Sequence, residues 1–393
     1  MTKEIYYLLS LCRAHLEEKK LSLDENINYE KLFSLSLSHN LSALVYCVIN
    51  TSENKEVVPE ETFAKFQNTF FEAVMRYEAQ SGLIKEIDAL LTKNKIRHVF
   101  FKGAWIRDYY PVPEVRVMGD IDLLFSVNDR DSVRDIFVKN GFKLVNSNGP
   151  VFDYEKDGYK IEAHTKLFGA KIGTADVEKV SDRAFDYTEF DNYRGKFDVN
   201  FHFAYLIAHL AHHFWFYGAG IRLVYDLAVV QKNFKLDYEK VFSLLDEMGL
   251  ERFGKVILSV CKKWFGTGED YVENTEDTEK FLLSYGVFGN SNRNRSAVIE
   301  RKELEEGKST SPVMTRLRLL FPPYRKLKDI PYIKFIDGRP YLTPLAWAYR
   351  IYYNFRYRKD FVKNATGKIG SDESKKEAER ELDYFKEIGL WQH

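Results

Sequence analysis

The apolar periodicity of this 393-residue chain changes twice, and these changes constrain the fold more than any other feature of the sequence. Up to about residue 96, apolar residues such as Leu83 and Ile87 recur at helical spacing. Short β-prone runs then follow one another as far as His164, and helical spacing returns at about residue 200. We therefore predict an α+β protein whose small mixed sheet is flanked by N-terminal and C-terminal helical regions.

The same changes of pattern predict four parts along the chain. Residues 1–78 form an N-terminal helical region, and residues 79–200 form the core that holds the sheet, with a new helix expected after residue 78. Residues 201–290 form a second helical region that completes a cleft. Residues 291–393 form a basic, aromatic C-terminal region that ends in a helix.

The composition excludes several classes of protein. The 58 Lys and Arg residues balance 58 Asp and Glu residues, which argues against a dedicated nucleic-acid coat protein. Three scattered cysteines cannot build a disulfide framework, and no stretch of about 18 uncharged apolar residues is present to span a membrane. We therefore expect a cytoplasmic protein.

Two aspartates interrupt an otherwise apolar run, residues 119–125. In a strand, residues two apart point to the same face, so Asp120 and Asp122 would project together while their apolar neighbours enter the core. Two carboxylates ~4 Å apart repel by about 4 kcal/mol at an effective dielectric constant of about 20. Because a divalent cation removes this repulsion, we predict that both aspartates bind Mg²⁺ or Mn²⁺. The alternative is a solvated strand edge with two surface aspartates.

A third carboxylate would complete a two-metal site. Glu162 lies in a further predicted strand, residues 159–164, where it shares a face with His164. If that strand lies beside the strand of the two aspartates, the three carboxylates converge. Asp153, on the strand before it, is the alternative third carboxylate.

A glycine turn precedes the aspartate strand. A β-prone run ends at Phe101 and leads through Lys102, Gly103 and Ala104 into a predicted helix. A strand that ends in glycine and enters a helix presents free backbone N–H groups, which bind phosphate. Lys102 and Arg116 would add positive charge for a triphosphate, although basic residues near a turn are also common on plain surfaces.

Together these residues resemble the DNA polymerase-β-like nucleotidyltransferase superfamily, over about residues 97–165. The segments FKGAWIRDYYP, DIDLLF, IEAH and IRLVYDLA are similar, more narrowly, to a bacterial family of uncharacterised nucleotidyltransferases, as far as about residue 360. The resemblance implies transfer of a nucleoside monophosphate from an NTP, with ATP as the expected donor, to an unidentified acceptor, with release of pyrophosphate. It assigns metal binding and catalysis to the three carboxylates, and nucleotide binding to the residues from Lys102 to Ala104 and to Arg116.

One residue departs from the superfamily pattern. The turn usually reads Gly-Gly or Gly-Ser, whereas here Ala104 follows Gly103, so a phosphate-binding hydroxyl is missing. This departure favours a second hypothesis, a catalytically silent nucleotide sensor or adaptor with the same fold. Retention of all three carboxylates favours the enzyme.

Four histidines lie in one predicted helix, residues 201–216. His202, His209 and His213 form one stripe, and the i, i+4 spacing of the last two suits a transition metal. Three interpretations stay open: a polar seam between helices, a wall of the substrate pocket, and a zinc site. Arg222 and Asp226, also four residues apart, form a structural ion pair or, as the family resemblance implies, organise the acceptor side of the cleft.

A basic, aromatic segment follows near the C-terminus. From Arg316 to Lys363 there are twelve Lys or Arg and three Asp or Glu, a net charge of +9, interleaved with aromatic residues. A helix with Leu345 and Tyr352 on its docked face and a basic outer face explains this pattern. Nucleic-acid binding and a basic lid over a triphosphate are the alternatives. The segment also supports a third functional hypothesis, a toxin–antitoxin-like enzyme that modifies a protein or an RNA.

Overall fold

The chain folds into two compact units, residues 1–290 and residues 291–391. Its structure, a computed structural model, describes residues 2–147, 149–284, 299, 301–302, 304–305, 312–327, 330–357 and 371–392. Among the helices of these residues, none combines the length and the apolar character needed to cross a membrane. The division into four parts stays a prediction.

Four helices form the N-terminal part of the first unit: α1 (Lys3–Glu17), α2 (Tyr29–Ser38), α3 (Ser42–Thr51) and α4 (Glu60–Lys93). The prediction of a new helix after residue 78 is wrong, because α4 runs without interruption for 34 residues. Its segment contains no proline, and its single glycine, Gly82, costs only about 1 kcal/mol relative to alanine. Burial of Leu83 and Ile87 in the core offsets that cost.

The described residues contain one sheet of seven strands: β1 (His98–Phe100), β2 (Asp120–Phe125), β3 (Lys143–Asn146), β4 (Val151–Lys156), β5 (Tyr159–His164), β6 (Thr188–Asp191) and β7 (Arg194–Phe197). Their order across the sheet is β3-β4-β5-β2-β1-β7-β6. Strand β2 lies at the centre, antiparallel to β1 and parallel to β5, and β1 is parallel to β7. This mixed sheet, with helical regions at both ends, confirms the predicted α+β class.

Two hairpins of the sheet have two-residue turns, and the sequence predicts one of them. Asp157 and Gly158 join β4 to β5 with φ angles of 53° and 80°, the left-handed pair that a tight two-residue turn requires. The hairpin of β6 and β7 was not predicted. Each of its strands has only four residues, which is too short for a period of two to be recognised.

One face of the sheet is covered by apolar side chains. Ile121 and Ile161, from β2 and β5, pack in a core with Ile87 of α4 and Phe137 of the helix α6 (Arg130–Lys139). Because alternate strand residues point to opposite faces, the aspartates of β2 and Glu162 project from the other face. Two short helices, α5 (Gly103–Ile106) and α7 (Glu178–Ser181), lie in the connections.

The first unit continues with five helices in its described part: α8 (Val199–Phe216), α9 (Ile221–Asn233), α10 (Tyr238–Met248), α11 (Glu251–Phe265) and α12 (Glu276–Ser284). The carboxylate of Asp198 caps α8 by accepting hydrogen bonds from the N–H groups of Asn200 and Phe201, both at 3.1 Å. Tyr205 of α8 packs against Phe101, at the end of β1, with 5.5 Å between ring centroids. Helix α8 therefore lies over the polar face of the sheet.

The second unit includes the helices α13 (Pro312–Leu320), α14 (Tyr324–Leu327), α15 (Thr343–Tyr357) and α16 (Asp372–Glu387). The docked face predicted for α15 is wrong. Leu345 and Tyr352 are 58% and 59% exposed, whereas Ala346 is buried with Leu327. Apolar residues surround most of α15, so their spacing does not single out one face. The end of the basic segment, residues 358–363, lies outside the described residues.

Candidate active site

The parallel pairing of β2 and β5 brings the predicted carboxylates together. Asp122 lies opposite Glu162, with the two Cα atoms in register, and Asp120 lies two residues earlier on the same face. His164 has Nε2 3.0 Å from Asp122 Oδ1 and 3.4 Å from Glu162 Oε2. Ligand atoms of Asp122, Glu162 and His164 all lie within 4.8 Å of one another, a spacing that suits one metal ion.

The electrostatics of this cluster favour a bound cation. Burial, together with the charges of Asp122 and Glu162, raises the pKa of Asp120 to about 6. Burial opposes ionisation of Asp122 and Glu162 as well, yet hydrogen bonds from His164 and the charge of Lys102 hold the pKa of both carboxyls below the usual range. Two ionised carboxylates therefore oppose the ionisation of a third, which a divalent cation would relieve.

Lys102 is directed at the same carboxylates. Its Nζ lies 2.6 Å from Asp122 Oδ1, and its side chain is 16% exposed. The backbone of Lys102 has φ 50° and ψ −124°, a conformation rare for residues other than glycine. Its N–H donates to Nε2 of His202 at 3.3 Å, which ties the turn to α8. In this arrangement Lys102 balances the charge of Asp122, and its contact with phosphate stays a prediction.

Gly103 has no room for a side chain. A β-carbon at this position would lie 2.8 Å from Cγ and 2.9 Å from Sδ of Met118. The helix that begins at Gly103, α5, has four residues and continues into a 3-10 turn, Arg107–Tyr109. Ala104 is buried in α5. The helix expected after the turn is therefore short.

Arg116 is engaged by a buried carboxylate. Its Nε and Nη2 donate to the two oxygens of Asp226 at 2.7 and 2.8 Å, and Tyr110 donates its hydroxyl hydrogen to Oδ1 of the same group. The expected ion pair between Arg222 and Asp226 is wrong, because Asp226 pairs with Arg116. Arg222 instead donates from Nη1 to the carbonyl oxygen of Val117 at 2.7 Å.

The histidines of α8 divide into two environments. His202 is 1% exposed and holds the Lys102 turn, and burial lowers its pKa to about 3. His209 and His213 line the cavity, with their Nε2 atoms 3.2 Å apart. Burial lowers the pKa of both imidazoles, in His213 to about 3, so both are neutral at pH 7.

A cavity of about 420 Å³ joins these groups in the first unit. Its lining includes Asp120, Asp122 and Glu162 from the sheet and His209 and Arg222 from α8 and α9. Phe168 and other apolar residues contribute to the lining. Such a concave site, with a few converging polar groups, is typical of a site for a small molecule.

The alternative third carboxylate, Asp153, lies further from the cluster. It is the Cα partner of Glu162 on the β4 side. Its carboxylate accepts a hydrogen bond from Asn146 at 3.2 Å and lies 3.4 Å from Lys160 Nζ. The structure therefore brings Glu162, and not Asp153, to Asp122.

Two further residues of the site were not assigned a role from the sequence. His164 lies two residues after Glu162, and this same-face spacing is the signal that points to it. Tyr110 bonds to Asp226 from 116 residues away, and no pattern in the sequence indicates this contact.

A carboxylate cluster on a mixed sheet, behind a glycine turn and under a helical layer, has the layout of a nucleotidyltransferase core. The chain belongs to the family described as uncharacterised nucleotidyltransferase, whose family model matches residues 25–266. The match extends from before α2 to the end of α11, so it includes the sheet and the whole cavity. The family predicted from the sequence is therefore confirmed. No curated protein and no solved structure matches the chain.

Proposed function

We propose that this protein transfers a nucleoside monophosphate from an NTP to an acceptor and releases pyrophosphate, with Mg²⁺ or Mn²⁺ as its cofactor. The observation that carries the proposal is the convergence of Asp120, Asp122 and Glu162 at one wall of the cavity, in a chain of this family. ATP is the proposed donor, and the cytoplasm is the proposed location.

The donor set suits a hard divalent cation. Carboxylate oxygens are the protein ligands that Mg²⁺ and Mn²⁺ prefer, and an imidazole nitrogen such as that of His164 also suits Mn²⁺. Repulsion from Asp122 and Glu162 contributes to the raised pKa of Asp120, and a bound cation would reduce this repulsion. The bound cation would neutralise the triphosphate and stabilise the charge that develops at phosphorus.

The remaining chemistry is assigned to residues of the chain. Asp120 and Asp122 would hold the cations, which would neutralise the triphosphate, and Lys102 and the Gly103 turn would contact its phosphates. Glu162 would act on the acceptor side and help to remove the proton of the acceptor. A bond forms between the acceptor atom and the α-phosphorus, the bond from that phosphorus to the β-phosphate oxygen breaks, and pyrophosphate leaves in line.

The substitution Glu162→Gln tests whether the protein is an enzyme. It removes the charge at the acceptor side and keeps the size of the side chain. NTP affinity should therefore stay within a few fold, while transfer falls by orders of magnitude, the pattern of an interaction made mainly in the transition state. Calorimetry measures the affinity, and a pyrophosphate assay with Mg²⁺, radiolabelled NTPs and cell extract measures the transfer.

Asp153→Asn is the matched control, because Asp153 lies on the next strand and outside the cavity lining. It should transfer like the wild type. If wild type and both variants bind NTP but none releases pyrophosphate with any acceptor fraction, the protein is a sensor and not a transferase. Equal losses in Glu162→Gln and Asp153→Asn would contradict the special role of Glu162.

A further inference from the structure

Arg222 is a buried guanidinium with an incomplete set of partners. The residue is 7% exposed, and its single hydrogen bond within the described chain runs from Nη1 to the carbonyl oxygen of Val117. Its Nε is buried without a hydrogen-bond partner. No ion pair joins it to any described carboxylate. Burial and the charge of Arg116 lower its pKa to about 10, so Arg222 stays charged at neutral pH.

The carboxylate on the same helix as Arg222 is engaged by another arginine. Arg116 occupies both oxygens of Asp226, and Tyr110 donates to the same carboxylate. Arg222 therefore has no described carboxylate within ion-pair distance, and the charges of Asp226 and Asp120 act on it only from further away. Burying a charge without an ion-pair partner costs free energy. An anion that contacts Arg222 would recover part of this cost and so gain affinity.

The positive end of a helix lies at the same place. Helix α9 begins at Ile221, and Gly220 before it supplies no capping side chain. Arg222 and Leu223, in the first turn of this 13-residue helix, line the cavity. The N–H of Ile221 donates to Nδ1 of His39 and that of Leu223 to the carbonyl oxygen of Gly220, so the helix start acts on an anion chiefly through its dipole, independently of any side chain. The backbone and the Arg222 side chain thus make two separate contributions.

The position of this group relative to the glycine turn indicates the kind of anion. Arg116 and Arg222 both donate to the carbonyl oxygen of Val117, next to Met118, whose side chain packs on Gly103. Arg116 Nη1 lies 3.6 Å from the position of a β-carbon on Gly103. Arg222 therefore shares its acceptor with a guanidinium that lies beside the turn at which the proposed function places phosphate groups.

We propose that Arg222 and the N-terminus of α9 bind a phosphate group, carried either by the NTP as a terminal phosphate or by the acceptor. The planar guanidinium fork of arginine matches two phosphate oxygens at once. If the phosphate belongs to the NTP, Arg222 supplies the contact that a hydroxyl at position 104 makes in related turns. The choice of phosphate as the anion rests on the proposed function.

Calorimetry on four proteins tests the proposal: the wild type, Arg222→Gln, Arg222→Lys and Arg107→Gln. Arg107 is the matched control, because it is 5% exposed, has Nε and Nη1 atoms without a hydrogen-bond partner, and does not line the cavity. The probes are ATP, AMP, tripolyphosphate and inorganic phosphate, each with Mg²⁺. Arg222→Gln should weaken binding of ATP and tripolyphosphate about tenfold or more and leave AMP unchanged. Arg107→Gln should match the wild type.

The outcomes distinguish a phosphate of the NTP from a phosphate of the acceptor, and both from a purely structural role of Arg222. Loss of inorganic phosphate binding with unchanged ATP binding supports a phosphate on the acceptor. Equal affinities of wild type and Arg222→Gln for all four probes overturn the proposal, and so does an equal loss for AMP and ATP, which a purely structural role predicts. If Arg222→Gln does not fold, Arg222→Lys decides, because it keeps the charge and lacks the fork: a several-fold weaker ATP or phosphate binding supports the proposal, and unchanged binding overturns it.

The test also separates this inference from the proposed function. A wild type that binds tripolyphosphate through Arg222 but releases no pyrophosphate from any NTP contradicts nucleotidyl transfer and supports the anion site. A wild type that transfers nucleotide, with an Arg222→Gln variant that binds every probe equally well, contradicts the anion site alone.

Discussion

Single residues of the site are constrained by charge and by space. Lys102 meets Asp122 at 2.6 Å in a strained backbone conformation, and a hydrogen bond to His202 holds that conformation. Gly103 is confined by Met118, so the approach of the turn to the cavity depends on the missing β-carbon. At this scale the site is built by close contacts that tolerate little change in volume.

We expect Gly103→Ala to destabilise the protein by about 1–3 kcal/mol, because the new methyl group would overlap Met118. The loss should appear as a lower urea midpoint with an unchanged slope. Gly119→Ala is the control, because Gly119 also lines the cavity and has no heavy atom within 4 Å of its β-carbon position. Its stability should change by less than about 0.5 kcal/mol. Similar losses in both variants would contradict this account of Gly103.

At the scale of elements, the position of α9 depends on a residue between α2 and α3. The N–H of Ile221, the first residue of α9, donates to Nδ1 of His39 at 3.3 Å. His39 is 2% exposed, and burial lowers its pKa to about 4. An imidazole that accepts this hydrogen bond must be unprotonated at Nδ1. The start of α9, which carries Arg222, is therefore held by a neutral histidine.

This contact predicts a loss of stability in acid. The folded-state pKa of His39, about 4, lies below its unfolded value of about 6.5, so the unfolded chain binds more protons between these two values. The contribution of neutral His39 to the free energy of unfolding is fully present above about pH 6.5. It is lost progressively as the pH falls toward 4, by about 3 kcal/mol in total. Urea unfolding at several pH values measures the loss. His39→Asn, which accepts the hydrogen bond without titrating, should show a smaller loss, and an unchanged pH dependence would exclude His39 as a source.

At the scale of the whole molecule, ligand binding should raise the free energy of unfolding. The cavity lies entirely in the first unit, which is residues 1–290. Mg²⁺ with a non-hydrolysable NTP at ~100 times its dissociation constant should add about 2.7 kcal/mol to the free energy of unfolding. The gain should be absent in Asp120→Asn/Asp122→Asn and present in the control Asp153→Asn/Glu155→Gln, which removes the same charge from β4. A gain that persists in the first variant would place the metal elsewhere.

Local patterns in the sequence were enough to predict the fold class and the carboxylate pair, and the family was predicted from the resemblance of short segments to known sequences. A period of two puts Asp120 and Asp122 on one face wherever the strand lies, and Asp157-Gly158 forms a tight turn for purely local reasons. The convergence with Glu162 followed from one further condition, that β5 lies beside β2, which the structure meets. The aspartate pair and the turn depend on neighbours in the chain, so the sequence by itself determined them, whereas the position of Glu162 depended on the pairing of the two strands.

Only the tertiary structure decided which charges pair. From spacing alone Asp226 was matched with Arg222, four residues away, but its partner is Arg116, 110 residues earlier. A spacing of four residues on a helix permits an ion pair but does not require it. A buried carboxylate is stabilised most by a guanidinium that donates to both of its oxygens, as Arg116 does. Because Asp226 pairs with Arg116, Arg222 keeps an Nε without a hydrogen-bond partner. The packing of Met118 against Gly103 is likewise a contact that only the folded chain makes. These contacts join distant segments, and their geometry exists only once the helices are packed on the sheet.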